Sequence, residues 1–197
     1  MLLARRAVFT VAAAGVIAPP GMPAAASSLC SDSPQRIVDS AGFLDDAQRS
    51  RLDRILLKLE EDTGFALRVL SRSRTRRGDD DDDESWYTLK PTAILRCGFG
   101  LSGSGQNAML IVADRGIAGA LDAGSSFLTF PFVGDQANFA LPDVFWKRLQ
   151  REYGRKAFID SRGEAASVIV ACEQIITCLR SEEQFCTDVP PASASFF

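Results

Sequence analysis

The chain has 197 residues, 46% hydrophobic and 24% charged, which suits one globular domain better than a disordered segment. Its formal net charge of −3 carries no electrostatic footprint for nucleic acid, so no nucleic-acid partner is expected. It contains no histidine, which removes imidazole general bases, Ser-His and Cys-His nucleophile pairs and His-ligated metals, leaving acid–base chemistry to Asp, Glu, Lys, Tyr or Cys.

The first 26 residues read as a cleaved export leader. Arg5 and Arg6 precede the apolar stretch Val8 to Ile17, then come Pro19, Pro20 and Ala24-Ala25-Ala26. The apolar run is too short to span a bilayer as a helix, and it ends in small residues suited to a signal peptidase. The paired arginines resemble a twin-arginine signal. Cleavage is expected after Ala26, giving a mature protein that starts at Ser27 and has no integral membrane span.

The domain itself is expected over 27–189. Val38, Phe43 and Leu44 supply apolar contacts ahead of a first long helix. Asp45 or Asp46 caps that helix, with Gln48 at capping-box spacing from Asp45. Leu52, Ile55, Leu56 and Leu59 recur at helical intervals, and Gly64 ends the run. Phe65 to Leu70 reads as a strand, apolar except for Arg68, and Ala108 to Ala113 as a second, almost wholly apolar one. Such runs suit a sheet buried on both faces, with helices on either side. Phe127 to Phe132 reads as a third strand, nearer an edge because Pro131 cannot donate a ladder hydrogen bond.

Pro142 suits the first turn of another helix, with Phe145, Leu149 and Tyr153 along one side and Gly154 at its end. Phe158-Ile159 reads as a last short strand. Ser161 and Glu164 form a second capping-box pattern, followed by the stripe Val168, Cys172, Ile175, Ile176 and Leu179. A flexible tail is expected over 190–197. The connection over 71–107 is long for a compact domain. It holds Arg72, Arg74, Arg76 and Arg77 ahead of the acidic run Asp79 to Asp83 with Glu84, then a Gly/Ser-rich stretch; Trp86, Tyr87, Leu89, Ile94 and Leu95 are its candidate anchors to the core.

Few residues point to chemistry. Gly98, Gly100 and Gly103 spell G-x-G-x-x-G, but a strand follows where a dinucleotide fingerprint needs a helix, so a surface loop is expected. The acidic run lacks the alternating ligands, turn glycine and bidentate Glu of an EF-hand, and reads as a solvated charge run. Asp39, Asp45, Asp46 and Asp114 allow more. Asp114 follows a buried strand, and ligands of open α/β sheets bind beyond the strands' carboxyl ends. Were the first helix to begin beside that end, these carboxylates could converge on a divalent cation, calcium among them, with Asp39 and Asp114 as the metal candidates. Capping accounts equally for Asp45 and Asp46, and a turn before Gly116 for Asp114. No catalytic residue is assigned.

Five cysteines, Cys30, Cys97, Cys172, Cys178 and Cys186, lie beyond the leader without a C-x-x-C spacing. Cys178 and Cys186 are expected to form a disulfide across a polar turn, as an oxidising compartment permits. Cys172 lies six residues before Cys178, about 120° around a helix, and reads as a small buried apolar residue.

Two segments resemble a known family. One comprises Val38-Asp39, Ala41-Gly42, Leu44, Leu52, Leu59-Glu60 and Thr63-Gly64, leading into Arg68-Val69-Leu70. The other comprises Phe145-Trp146, Leu149, Tyr153-Gly154, Gly163-Glu164, Ala166-Ser167 and Cys178-Leu179-Arg180, with Cys186 beyond. With Ile111 to Asp114, they resemble the TPM-domain family, and within it the small thylakoid-lumen branch of plants and algae. The resemblance implies a three-layer α/β/α sandwich with a small, mainly parallel mixed sheet. It further implies a chloroplast lumenal protein serving photosystem II assembly, maintenance or repair, with photosystem II or other thylakoid membrane proteins as partners on the lumenal side. Other branches imply calcium binding or acid phosphatase activity, with Asp39 the best-matched acidic residue. Only a few residues precede Arg5, so the expectation is either an incomplete plastid-targeting N-terminus or a bacterial periplasm. Three readings follow: a non-catalytic lumenal binding protein, a metal-assisted phosphatase using Asp39 and Asp114, and a structural or redox-responsive protein whose odd cysteine pairs with another chain.

Overall fold

The computed structural model describes residues 35–74, 90–101, 105–117, 126–181, 186 and 189–191. The leader, Cys30, Asp79 to Glu84, Trp86, Tyr87, Leu89, Gly103 and residues 192–197 lie outside the described residues. In chain order the elements are β1 (Ile37–Asp39), α1 (Asp46–Thr63), β2 (Ala66–Arg74), α2 (Pro91–Cys97), β3 (Ala108–Ile117), β4 (Leu128–Val133), α3 (Asp135–Ala140), α4 (Asp143–Tyr153), α5 (Lys156–Arg162) and α6 (Glu164–Arg180). The sheet runs β1-β2-β3-β4, the first three strands parallel and β4 antiparallel on β3. The fold is therefore α/β with a small, mainly parallel mixed sheet.

Pleating divides the strands between two unequal layers. Ile37, Val69 and Ile111 stand in register and join Leu67, Met109 and Ala113 in the larger core, where α1, α3, α4, α5 and α6 pack. Leu70, Leu110 and Val112 face the other way, onto Ile94, Leu95 and Phe99 of the short α2 layer. The two central strands are thus covered on both sides, as parallel strands require.

Helix α1 begins as its sequence dictates. The Gln48 N–H donates to Asp45 at 2.7 Å, the Asp45 N–H donates to the Gln48 side chain at 3.0 Å, and Gly64 ends the helix in the left-handed conformation at φ 75°. β4 lies at the sheet edge, as Pro131 demands.

Several expectations are corrected. Phe158-Ile159 belongs to α5, not a strand. α6 is capped by Gly163 at φ 84° with no side-chain cap, and the Ser161 hydroxyl donates to the Phe158 carbonyl, so the Ser161–Glu164 box does not form. Asp114 lies inside β3 rather than in a turn, because β2 continues to Arg74 and gives β3 a hydrogen-bonding partner past the end of its apolar run. The long connection contains α2, which Pro91 opens, and α3 adds a helix the apolar pattern does not signal.

Arg68 interrupts an apolar strand and is only 3% exposed. Its guanidinium lies 3.0 Å from Glu60 and donates to the Leu67 carbonyl at 3.2 Å, while Arg36 approaches Glu60 at 3.7 Å. Burial lowers the Arg68 pKa and the Glu60 charge opposes that effect. At the other end of the chain, Cys178 and Cys186 form a disulfide with Cα atoms 5.4 Å apart. Beyond it Val189 packs on the core, and the Tyr153 hydroxyl donates to the Pro190 carbonyl at 2.8 Å. Burial, then the Glu152 charge, raises the Tyr153 pKa.

Glu60→Gln removes the counter-charge of a buried guanidinium; because Glu60 is itself 34% exposed, the loss in urea unfolding should be about 2–3 kcal/mol, under the fully buried limit. Cys186→Ser should cost about 2–3 kcal/mol by the loop-entropy estimate for a short bridge. In either protein Cys172, fully buried with its thiol pKa pushed up by desolvation, should resist alkylation until the chain unfolds, as peptide mapping would read.

Candidate functional site

β1 ends at Asp39, level with Ser71 of β2 and Ala113 of β3, while β2 and β3 run on through Arg72 and Asp114, so these residues lie together at the carboxyl end of the sheet, near the start of α1. This is where ligands of open α/β sheets bind, so it is the place to test for chemistry.

Asp39 closes β1 with a buried carboxylate whose side chain is 0% exposed. Its Oδ1 accepts the Phe43 N–H at 3.1 Å and its Oδ2 the Leu44 N–H at 2.9 Å, with Arg49 at 4.0 Å from Oδ2. Between them Gly42 takes a left-handed φ of 67°, which allows the chain to reverse beneath the carboxylate. The Val-Asp-x-Ala-Gly element is thus a turn built around an acceptor for two backbone donors. Ser40 ties the same turn to β2, its N–H and hydroxyl both donating to the Ser71 carbonyl at 3.1 and 2.7 Å.

Asp114 is held differently. Its Oδ2 accepts from Arg72 Nε at 2.8 Å and its Oδ1 from the Gly116 N–H at 2.8 Å. Register settles whether the two acids meet. Asp39 pairs with Ser71 and Ser71 with Ala113, whereas Asp114 pairs with Arg72 one residue further on. Successive strand residues point to opposite faces, so Asp39 and Asp114 face opposite sides of the sheet. The structure does not bring them together. Asp45 caps α1, and exposed Asp46 lies 3.9 Å from Arg49.

Calcium needs six to eight oxygen ligands. Both oxygens of Asp39 and both of Asp114 already accept protein hydrogen bonds, and among the described residues no three His, Cys, Asp or Glu side chains cluster as ligands. As they stand, the described residues form no ligand set for such an ion. Ser71 is fully buried, and its hydroxyl has no hydrogen-bond partner in the described structure. Nothing in the sequence signals that hydroxyl, or the Arg115–Glu164 ion pair that joins the end of β3 to α6. Only the register exposes them.

The family model for the TPM domain matches residues 37–175, from the first residue of β1 into α6. The chain belongs to the TPM-domain family. It is 28% identical over 144 residues to thylakoid lumenal 15.0 kDa protein 2 of Arabidopsis thaliana, a chloroplastic protein, covering 73% of this chain and 54% of that relative. The chain spans about half the length of the relative it matches. In this TPM domain the segment from Phe145 to Ser167 has a packing role. Trp146 donates its indole N–H to the Leu141 carbonyl at 2.7 Å, and Ser167 donates to the Tyr153 carbonyl at 2.7 Å. Gly154 accepts the Phe127 N–H at 2.8 Å, where a Cβ would meet the Ser126 hydroxyl and the Gln150 carbonyl.

Asp39→Ala should leave two partly buried backbone donors unpaired and lower stability by about 2–3 kcal/mol in chemical denaturation. Asp39→Asn keeps one acceptor oxygen and should lose roughly half as much.

Proposed function

We propose that this TPM domain is a lumenal, non-catalytic binding protein that supports photosystem II assembly, maintenance or repair in the chloroplast, delivered by a twin-arginine leader. The observation that carries the reading is the likeness to a thylakoid lumenal relative. The state of the sheet's carboxyl end supports it: Asp39 is consumed by a turn and Asp114 by Arg72. No helix among the described residues is long and apolar enough to cross a membrane. No cofactor is invoked.

The second reading, a metal-assisted phosphatase, is favoured in the structure by the unsatisfied Ser71 hydroxyl beside the Asp39 turn. It would require Asp39 or Asp114 to leave its present partners.

The test has two arms. Depleting the protein in a photosynthetic host should slow recovery of photosystem II activity after strong light, and tagged protein should co-isolate photosystem II subunits from thylakoids. Purified protein should not turn over p-nitrophenyl phosphate at acidic pH, with or without calcium. Turnover lost in folded Asp39→Asn would promote the phosphatase, and unchanged photosystem recovery would end the first reading.

A further inference from the structure

A groove of about 300 Å³ runs between α1 and α6 on the outer side of the larger helical layer. Leu52 and Ile55 of α1 and Ile169 and Val170 of α6 form its floor. Arg51, Arg162 and Glu173 stand around it. α6 buries Val168, Cys172 and Ile175 fully, while Ala165, Ile169 and Val170 pack against the same core and stay only partly buried. A helix apolar on both sides is ordinarily covered on both.

The charges give the groove a direction. Arg180 donates to Asp62 at 3.0 Å, joining the C-terminal ends of α1 and α6, so the two helices run side by side in the same sense. Arg51 and Arg162 flank the N-terminal end of this pair, where both helix dipoles are positive, and neither guanidinium has an ion-pair partner among the described residues. Glu173 lies further along α6 and carries no ion pair there either. A lipid chain would gain nothing from the Glu173 carboxylate. A second copy would bring one concave face against another and leave both floors unfilled. A convex rod with an apolar stripe and an acidic end matches the apolar floor and the two guanidinia, which is the helix-in-groove mode of recognition.

We propose that the α1–α6 groove binds an amphipathic helical segment of a partner protein, its apolar stripe on Ile55, Ile169 and Val170 and its carboxylates against Arg51 and Arg162. This goes beyond the photosystem reading and rests on the groove alone, so either can fail without the other.

The probe is a displayed library of helix-forming 14-residue peptides selected on the full mature chain and counter-selected on Ile169→Arg. Enriched peptides should carry apolar residues at i, i+3 or i+4 and i+7, with Asp or Glu at one end. Fluorescence anisotropy of the most enriched peptide should show binding weakened at least tenfold by Ile169→Arg, by the milder Val170→Ser, and by Arg51→Glu combined with Arg162→Glu. It should weaken with salt and be unchanged by Arg96→Glu on the opposite layer. Circular dichroism melting would establish that each variant is folded. No enrichment over the counter-selection, enrichment of basic or uncharged peptides, or equal binding to Ile169→Arg would overturn the proposal. So would a concentration-dependent dimer in sedimentation that Ile169→Arg dissolves, which would assign the groove to a second copy.

Discussion

A parallel pair of strands cannot leave either face to water, because its connections must cross over the sheet and its residues are apolar on both sides. The β2–β3 pair imposes that constraint here. Leu67, Val69 and Leu70 are wholly buried, as are Leu110 and Ile111, so side chains pointing both up and down must be covered. One side has five helices to call on. The other has α2, seven residues long, helped by Phe99 and Phe132. The unequal layers explain why a stretch that reads as a loop between two strands must contain a helix: without Ile94, Leu95 and Phe99, the Leu70–Leu110–Val112 surface would lie open.

The same constraint explains which elements were legible. α1 carried a cap, a period and a terminating glycine, and all three hold. The core positions of β2 and β3 were legible because their apolar runs face cover on both sides. Their ends were not. Ser71, Arg72 and Asp114 are polar, and a reading that stops a strand where its apolar run stops cannot see that β2 and β3 continue to pair for their backbone hydrogen bonds alone. Phe158-Ile159 failed for a related reason: a short apolar run has no period, and here it is one turn of a helix packed on Tyr153. The Ser161–Glu164 spacing was a true pattern overruled by Gly163, whose left-handed φ bends the chain before α6 begins.

At the sheet's carboxyl end, residue type was legible and arrangement was not. The sequence marks Asp39 as part of a recurring element; only the coordinates show that its carboxylate organises the turn out of β1, with Phe43 and Leu44 as its donors. Whether Asp39 and Asp114 face each other depends on a one-residue difference in register, which no local pattern encodes. The branch-specific residues behave similarly. Phe145, Trp146, Tyr153 and Gly154 read as a signature, and they are among the contacts that dock α4 against the start of β4 and the start of α6.

The strand order repeats the order of the chain, and this bears on how the molecule is made. Each strand meets its neighbour as soon as the next one emerges, so the sheet can be laid down progressively from the N-terminal side with modest loop closure at each step. Coverage does not keep the same pace. Leu67, Val69, Met109 and Ile111 are in place long before α6, whose Val168, Cys172, Ile175 and Ile176 complete the lid over them, has left the ribosome. A nascent chain that stops short of the last helix therefore holds a formed sheet with a greasy face, which is the state a chaperone or a protease would recognise.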